Sequence, residues 1–276
     1  MAGTARRPRA VLLPIVVVML CFCAICAHVL IDARRAAWER AGDVAENLQA
    51  AIEGDIVRNI ETLDLSLRAV VDGLKHPNIE KIDPELRQLV LFDRSASARH
   101  LGAILVLDEN GILRLDSRST AVKPADLSDR DYFKAHRNGK SAVLYIGKPQ
   151  SGVQHDQPFI GISRRLTNAH GSFSGVAAGS LRLTHLQEMF RSFSFGSDSR
   201  IALLHLDGTV VMRWPHGESY TGRNIRHAAI FKHLAKSKSG RFDSLAVSDG
   251  VHRLVVYRQI KDLPIVVAIG QSTHEV

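Results

Sequence analysis

Outside one short stretch the chain has no cysteine. All three, Cys21, Cys23 and Cys26, fall within a single apolar run. The remaining residues therefore hold no disulfide framework and no thiolate metal site. Inside such a run a cysteine behaves as a small apolar residue, and Met19–Leu20 and Ala24–Ile25 are poor company for a lipid-attachment site. Metal spacing is missing as well: thirteen histidines are dispersed, with no HExxH and no His-x-His, so neither a metal nor a cofactor is expected. A Walker loop and a GxGxxG turn are both absent. Gly171–Gly175 reads GSFSG, with serines flanking the centre where a nucleophile elbow places one. Catalysis by this chain is not expected. Clusters of one charge are nearly lacking too. The formal net charge is +8, yet Lys and Arg alternate with acids. The one dense cluster, Arg6, Arg7 and Arg9, directly precedes the apolar run and reads as a topogenic signal rather than a nucleic-acid surface, so no nucleic-acid partner is expected.

What is present begins with that run. With 45% hydrophobic and 23% charged residues the composition is that of a folded protein. Ala10–Ile31 reads AVLLPIVVVMLCFCAICAHVLI, about the ~20 residues needed to cross a hydrocarbon core. A cleavable signal peptide is the competing reading, but its apolar core is shorter, ~7–15 residues, and no small-x-small site follows here. An uncleaved transmembrane helix over 10–31 is expected. It leaves residues 1–9 in the cytoplasm and the rest outside, although Arg34 and Arg35 on the far side weaken the charge asymmetry.

Residues 33–75 contain no proline. Val44, Leu48, Ile52, Ile56, Ile60, Leu63, Leu67, Val70 and Leu74 recur in steps of three and four, predicting a long stalk helix. Two readings of the stripe stand. It packs along its own domain, or it forms a heptad seam with a second copy, making a homodimer. His76–Asn78 ends the helix.

Beyond it lies an internal echo. Ala103–Asp116 reads AILVLDENGILRLD and Ile201–Trp214 reads IALLHLDGTVVMRW: strand, Asp-containing turn closed by Gly, strand. After each hairpin comes a helical stretch, Ser128–Asn138 or Ile225–Lys236. Three strands then follow: Ala142–Gly147, Phe159–Leu166 and Gly175–Leu183 in the first copy, Gly240–Val247, His252–Gln259 and Ile265–Gln271 in the second. That order predicts an α+β fold of two modules, 76–190 and 191–276, each with an antiparallel sheet.

A long helix leaving the membrane and followed by two PAS-like modules resembles the double Cache (dCache) sensor domain of bacterial chemoreceptors, histidine kinases and diguanylate cyclases. Leu105–Gly111 (LVLDENG), Asp129–Ala135 (DRDYFKA), Ile146–Pro149 (IGKP) and Phe159–Leu166 (FIGISRRL) are similar to phrases of that family's membrane-distal module. Ser180–Leu186 (SLRLTHL) resembles the strand that hands over to the proximal one. The resemblance covers about Ala33 to Val276. It implies a single-pass protein of the inner membrane with a periplasmic sensor. The distal module, 76–190, would take a small polar ligand under the cover segment 127–138, and the proximal module, 191–276, would couple it to the membrane.

Within that cover Arg130 has the planar fork that pairs with two carboxylate oxygens. Tyr132 and Phe133 offer aromatic walls, and Tyr145 on the next strand a hydroxyl. Amino-acid-binding members combine an Arg-x-aromatic-aromatic phrase with a further Tyr and an Asp, matched here by Arg130–Phe133, Tyr145 and Asp156. Their upstream aromatic has no counterpart among residues 125–129, so a small carboxylate or another polar metabolite stands beside an amino acid as ligand. The plainer reading has Arg130 pairing with Asp129 or Asp131 while Tyr132 and Phe133 fill the core. Receptors of this kind continue into a second membrane helix and an output domain, neither of which follows here. The chain is thus expected to act through a separate signalling partner, or else as a membrane-tethered solute- or protein-binding module without signalling.

Overall fold

One helix organises the chain. In the computed structural model, which describes residues 9–92, 101–139, 143–150, 158–193, 198–215, 219–245 and 250–272, α1 runs unbroken from Arg9 to Leu74, roughly 100 Å at 1.5 Å per residue. Its N-terminal part exposes Ile15, Leu20, Phe22 and Leu30 and is long and apolar enough to cross a membrane. Farther along, Ile52, Ile56, Ile60, Leu63, Leu67 and Val70 are buried.

Two five-stranded antiparallel sheets cover that stripe. The first has the order β2-β1-β5-β4-β3, from β1 (Leu101–Asp108), β2 (Leu113–Asp116), β3 (Tyr145–Gln150), β4 (Phe159–Thr167) and β5 (Phe173–Arg182). The second repeats it as β7-β6-β10-β9-β8, from β6 (Arg200–His205), β7 (Val210–Trp214), β8 (Ser239–Leu245), β9 (His252–Gln259) and β10 (Ile265–Ser272). Residues of α1 and of both sheets share one hydrophobic cluster, in which Ile104 and Ile162 belong to the first sheet and Val256 and Val267 to the second.

The stripe's starting register differs from the sequence reading. Val44 is exposed, and the buried face opens instead on Ala45 and Gln49. A tally of apolar residues misses Gln49, whose side-chain amide donates to the Val267 carbonyl at 2.9 Å and the Val256 carbonyl at 3.4 Å. At 1% exposure it satisfies β9 and β10 carbonyls that would otherwise lie dry. One ion pair matches it on the first sheet: the Asp64 carboxylate takes Arg164 Nη2 of β4 at 2.9 Å and Arg68 Nε at 3.0 Å. Glycine permits the close approach there, because a Cβ on Gly179 would sit 2.6 Å from Leu63 Cδ1. Gln49 and the pair Glu53–Arg258 hold the second sheet, and Leu63 and Asp64 the first. The second sheet is therefore nearer the apolar segment along the helix. The buried stripe faces this chain's own sheets, so those residues form no seam with a second copy.

The echo is real down to the turns. Gly111 and Gly208 have φ of 88° and 100°, where glycine is at ease. In each repeat the segment before the cover helix folds back onto this turn: Leu127 N–H donates to Gly111 O, and Ile225 N–H to Gly208 O. The helices proper are shorter than the periodicity suggests, α3 at Asp131–Asn138 and α5 at Ala229–Leu234, because the preceding residues are spent in that docking. β3 begins at Tyr145, three residues later than expected. The handover segment is not all strand. β5 stops at Arg182 and α4 (Leu183–Ser192) follows, burying Leu183, Leu186 and Phe190 at helical spacing. A short helix α2 (Pro84–Leu91), capped by the Asp83 carboxylate, packs beside the end of α1.

Asp64 and Arg164 are only 11% and 16% exposed, so removing one leaves the other's charge in a poorly solvated place. Asp64→Ala is expected to lower stability by about 3 kcal/mol, seen as a lower thermal midpoint of the detergent-solubilised chain. A midpoint within error of wild type contradicts the pair's role.

Candidate functional site

A cavity of about 320 Å³ opens on the face of the first sheet turned away from α1, within the size range of small-molecule sites. Its floor is Ala103 and Leu105 of β1 with Ala178 and Ser180 of β5. Central strands normally carry bulky side chains; here small ones leave the space open. Its roof is the docked segment 125–130 together with Tyr132, and Phe159 closes one end. The roof is tied down by backbone bonds, Leu113 N–H to Ala125 O and Leu127 N–H to Gly111 O. Asp126 turns the chain by accepting from Ser128 N–H at 2.9 Å. The Ser128 hydroxyl and N–H together hold its carboxyl below the usual carboxylate range.

Arg130 and Tyr132 meet at this cavity. Arg130 is the residue before α3, with its side chain 17% exposed. Nη1 donates to Gln150 Oε1 at 3.4 Å, and Nε lies 3.6 Å from Asp129 Oδ1. Both contacts are long, and among the described residues no others engage the guanidinium. Most of its five N–H donors therefore meet no described residue. Tyr132 is 4% exposed and lies over Gly161, where a Cβ would come within 2.7 Å of the ring. Burial pushes its phenol up to about 12, and the Arg130 charge pulls the other way.

The other expected residues part company with these two. Phe133 is wholly buried, edge-on to Phe173 at 5.8 Å, and does not line the cavity. Tyr145 sits on β3 beyond Asp131, whose carboxylate its hydroxyl meets at 3.5 Å. Burial first, then the Asp131 charge, raises its phenol to about 12. Asp156 lies outside the described residues. Residues on the wall that sequence reading passed over are Ala103, Ala178, Ser180, Phe159, Asp126 and Ser128. For Ala103, Ala178 and Ser180 the signal was small residues in strands otherwise rich in Val, Ile and Leu.

Asp131 anchors the roof. Its carboxylate accepts from Tyr132 N–H at 2.6 Å, from Lys148 N–H at 3.0 Å and from the Gln150 amide, fixing the start of α3 against β3. From the same Lys148 the side chain reaches Asp207 in the β6–β7 turn of the second module, Nζ to Oδ2 at 2.6 Å. Burial alone would raise the Asp207 carboxyl. Hydrogen bonds from Lys148, Thr209 and His205 outweigh it and hold the group well below the usual range. One residue after Arg130 thus begins a polar path from the cavity roof to the second sheet. In the second module the residue before the cover helix is Ala228, so the cation has no counterpart there.

The family model described as Cache domain matches residues 33–276. Among solved structures, the extracellular domain of a putative histidine kinase, rpHK1S-Z16, is 25% identical and superposes with a TM-score of 0.73, covering 86% of this chain and 97% of that one. The periplasmic sensory domain of the Campylobacter jejuni chemoreceptor Tlp1 is 12% identical, with a TM-score of 0.68 over 86% and 96% of the two chains. The ligand-binding domain of the Pseudomonas fluorescens chemoreceptor CtaA in complex with L-alanine is 15% identical, with a TM-score of 0.63 over 86% and 99%. A search of curated proteins finds no match.

The two raised phenols set an alkaline limit. Unfolded tyrosine ionises near pH ~10, whereas Tyr132 and Tyr145 keep their protons to about 12 when folded. Their contribution is complete below the unfolded value and is lost as pH rises through the folded one, because only the unfolded chain releases protons in that window. Urea midpoints should fall between pH ~10 and ~12, and more shallowly in Tyr132→Phe. An unchanged slope in that variant contradicts the assignment.

Proposed function

The chain belongs to the Cache domain family of sensor domains, and on that premise we propose that its first module holds a small polar molecule through a carboxylate on Arg130. The observation carrying this reading is a largely buried guanidinium, most of whose donors meet no described residue, on the wall of a cavity of ligand size. Such a cation is costly to desolvate unless an anion completes it, and a carboxylate fits its fork with two parallel bonds. The Tyr132 ring supplies an apolar wall, and Ser128 and Ser180 supply hydroxyls. Asp126 and Asp129 add negative charge on the same wall, suited to an ammonium group. An α-amino acid combines both charges, and the related CtaA domain holds L-alanine. The absence of an aromatic at 125–129 keeps simple carboxylates within the class.

The proposed setting is the periplasmic side of the inner membrane, with residues 10–31 as the single span and 1–9 in the cytoplasm. Module 76–190 lies distal and module 191–276 proximal. Occupancy of the cavity shifts the roof, Asp131 and β3 move with it, and the Lys148–Asp207 pair and α1 carry the change toward the membrane. The output is an activity of the kind that relatives control, a histidine kinase or diguanylate cyclase, in this protein or a signalling partner.

A thermal-shift screen of the full chain in detergent against amino acids, carboxylates and amines tests the proposal, since a ligand raises the midpoint by mass action. Carboxylate-bearing compounds are expected to give the shifts, and Arg130→Ala to weaken binding about thirtyfold, the equivalent of ~2 kcal/mol. A shift that survives Arg130→Ala unchanged places the ligand elsewhere.

A further inference from the structure

Between the apolar run and the first sheet contact, α1 is bare. Residues 32–41 are exposed or half-exposed, and the helix meets the second sheet only where Gly42 faces Arg241 and Ala45 is buried. Ten residues span ~15 Å, more than the ~5–8 Å of headgroup layer on one side of a bilayer. Ile31, Arg34, Arg35, Trp38 and Glu39 line an open notch on one side of this segment, the spacing of a single helix face.

Among the described residues the two arginines have no counter-ion. Asp32, their nearest acid, lies 3.4 Å from His28 Nε2 one turn back. Glu39 forms no ion pair with Arg35 among the described residues, and neither arginine has any other polar partner there. Arg40, by contrast, turns its Nε to the Ala36 carbonyl. Helical rise sets Arg34 and Arg35 ~4–6 Å beyond the last apolar residue and Trp38 ~10 Å beyond it. Those heights fall in and just above the headgroup layer, and a helical side chain tilts toward the N-terminus, which brings the Trp38 ring down to the level such rings favour. Positive charge on this side of a span opposes the usual topogenic bias, so insertion does not account for it.

We propose that Arg34, Arg35 and Trp38 form a headgroup clamp that binds the phosphate of an anionic phospholipid and fixes the depth of α1 in the bilayer. The claim rests on the membrane-spanning reading of residues 10–31. A guanidinium pair selects phosphate for the reason it selects carboxylate, through parallel charged hydrogen bonds, and the indole packs against the outer side of the headgroup. Among the described residues only this face of α1 lines the notch, and its paired positive charge at headgroup height is complementary to a lipid phosphate.

The test uses the full chain in vesicles of phosphatidylcholine alone and of phosphatidylcholine with an equal part of phosphatidylglycerol. Lipid retained after mild extraction is read by mass spectrometry. Wild type is expected to retain phosphatidylglycerol over phosphatidylcholine, the Arg34→Gln/Arg35→Gln double variant to lose that preference by about tenfold, and Arg40→Gln to keep it. Equal retention by wild type, or an undiminished preference in the double variant, overturns the clamp. Carbonate extraction separates the premise: a chain released from the vesicles refutes the span and the clamp together, whereas an integral chain without lipid preference refutes the clamp alone.

Discussion

The packing of one helix face against two sheets is the constraint from which the rest follows. On its α1 side each sheet is covered chiefly by that helix, with α2 beside it on the first sheet and α4 on the second. The stripe from Ala45 to Val70 is thus the common wall of both modules. Each fully buried Ile or Leu in it contributes roughly 1.5–3 kcal/mol, and the polar contacts decide where along the helix each sheet sits. Gln49 fits only opposite the Val256 and Val267 carbonyls, and Asp64 only opposite Arg164. Sliding α1 by one residue would bury an unpaired amide and an unpaired charge, so the register is strongly specified.

The site inherits its geometry from this arrangement. β5 turns Gly179 toward α1 and Ala178 and Ser180 toward the cavity, so one strand touches both the stalk and the candidate ligand. Leu63 fills the space that the glycine leaves. On the far side Asp131 binds the roof to β3, and Lys148 of β3 binds Asp207 of the second module. A change at the roof has two routes out, through β5 to α1 and through β3 to the β6–β7 turn. The second module has Ala228 where the first has Arg130, which suits the receiving part that the proposed function gives it.

Much of this was legible in the sequence, and the misses have identifiable causes. The stalk, the two hairpins and the order of later strands followed from periodicities of 3.6 and 2 and from the Asp–Gly turns. Gln49 was missed because a hydrophobic count ignores an amide that caps sheet carbonyls. α4 was missed because a strand and a helix abut at Arg182 without a proline or glycine between them; the spacing of Leu183, Leu186 and Phe190 was the available sign. At the site, Arg130 and Tyr132 were named and do meet. Phe133 carries the right chemistry, but adjacent residues on a short helix point to different faces, and Tyr145, on β3, turns its hydroxyl to Asp131. Nothing local told which aromatic would meet the cavity and which the core. The cavity itself is a matter of missing volume, written in Ala103, Ala178 and Ser180, which patterns of large residues overlook.

The central claim is that α1 makes the two modules one cooperative body. Hydrogen exchange of the full chain carrying Gln49→Ala tests it most directly, because among the described residues its side chain bonds to the second sheet alone. The account predicts faster exchange in β9 and β10 and, transmitted through the shared helix, in β4 and β5 as well. Acceleration confined to the second sheet, with β4 and β5 exchanging as in wild type, would contradict it.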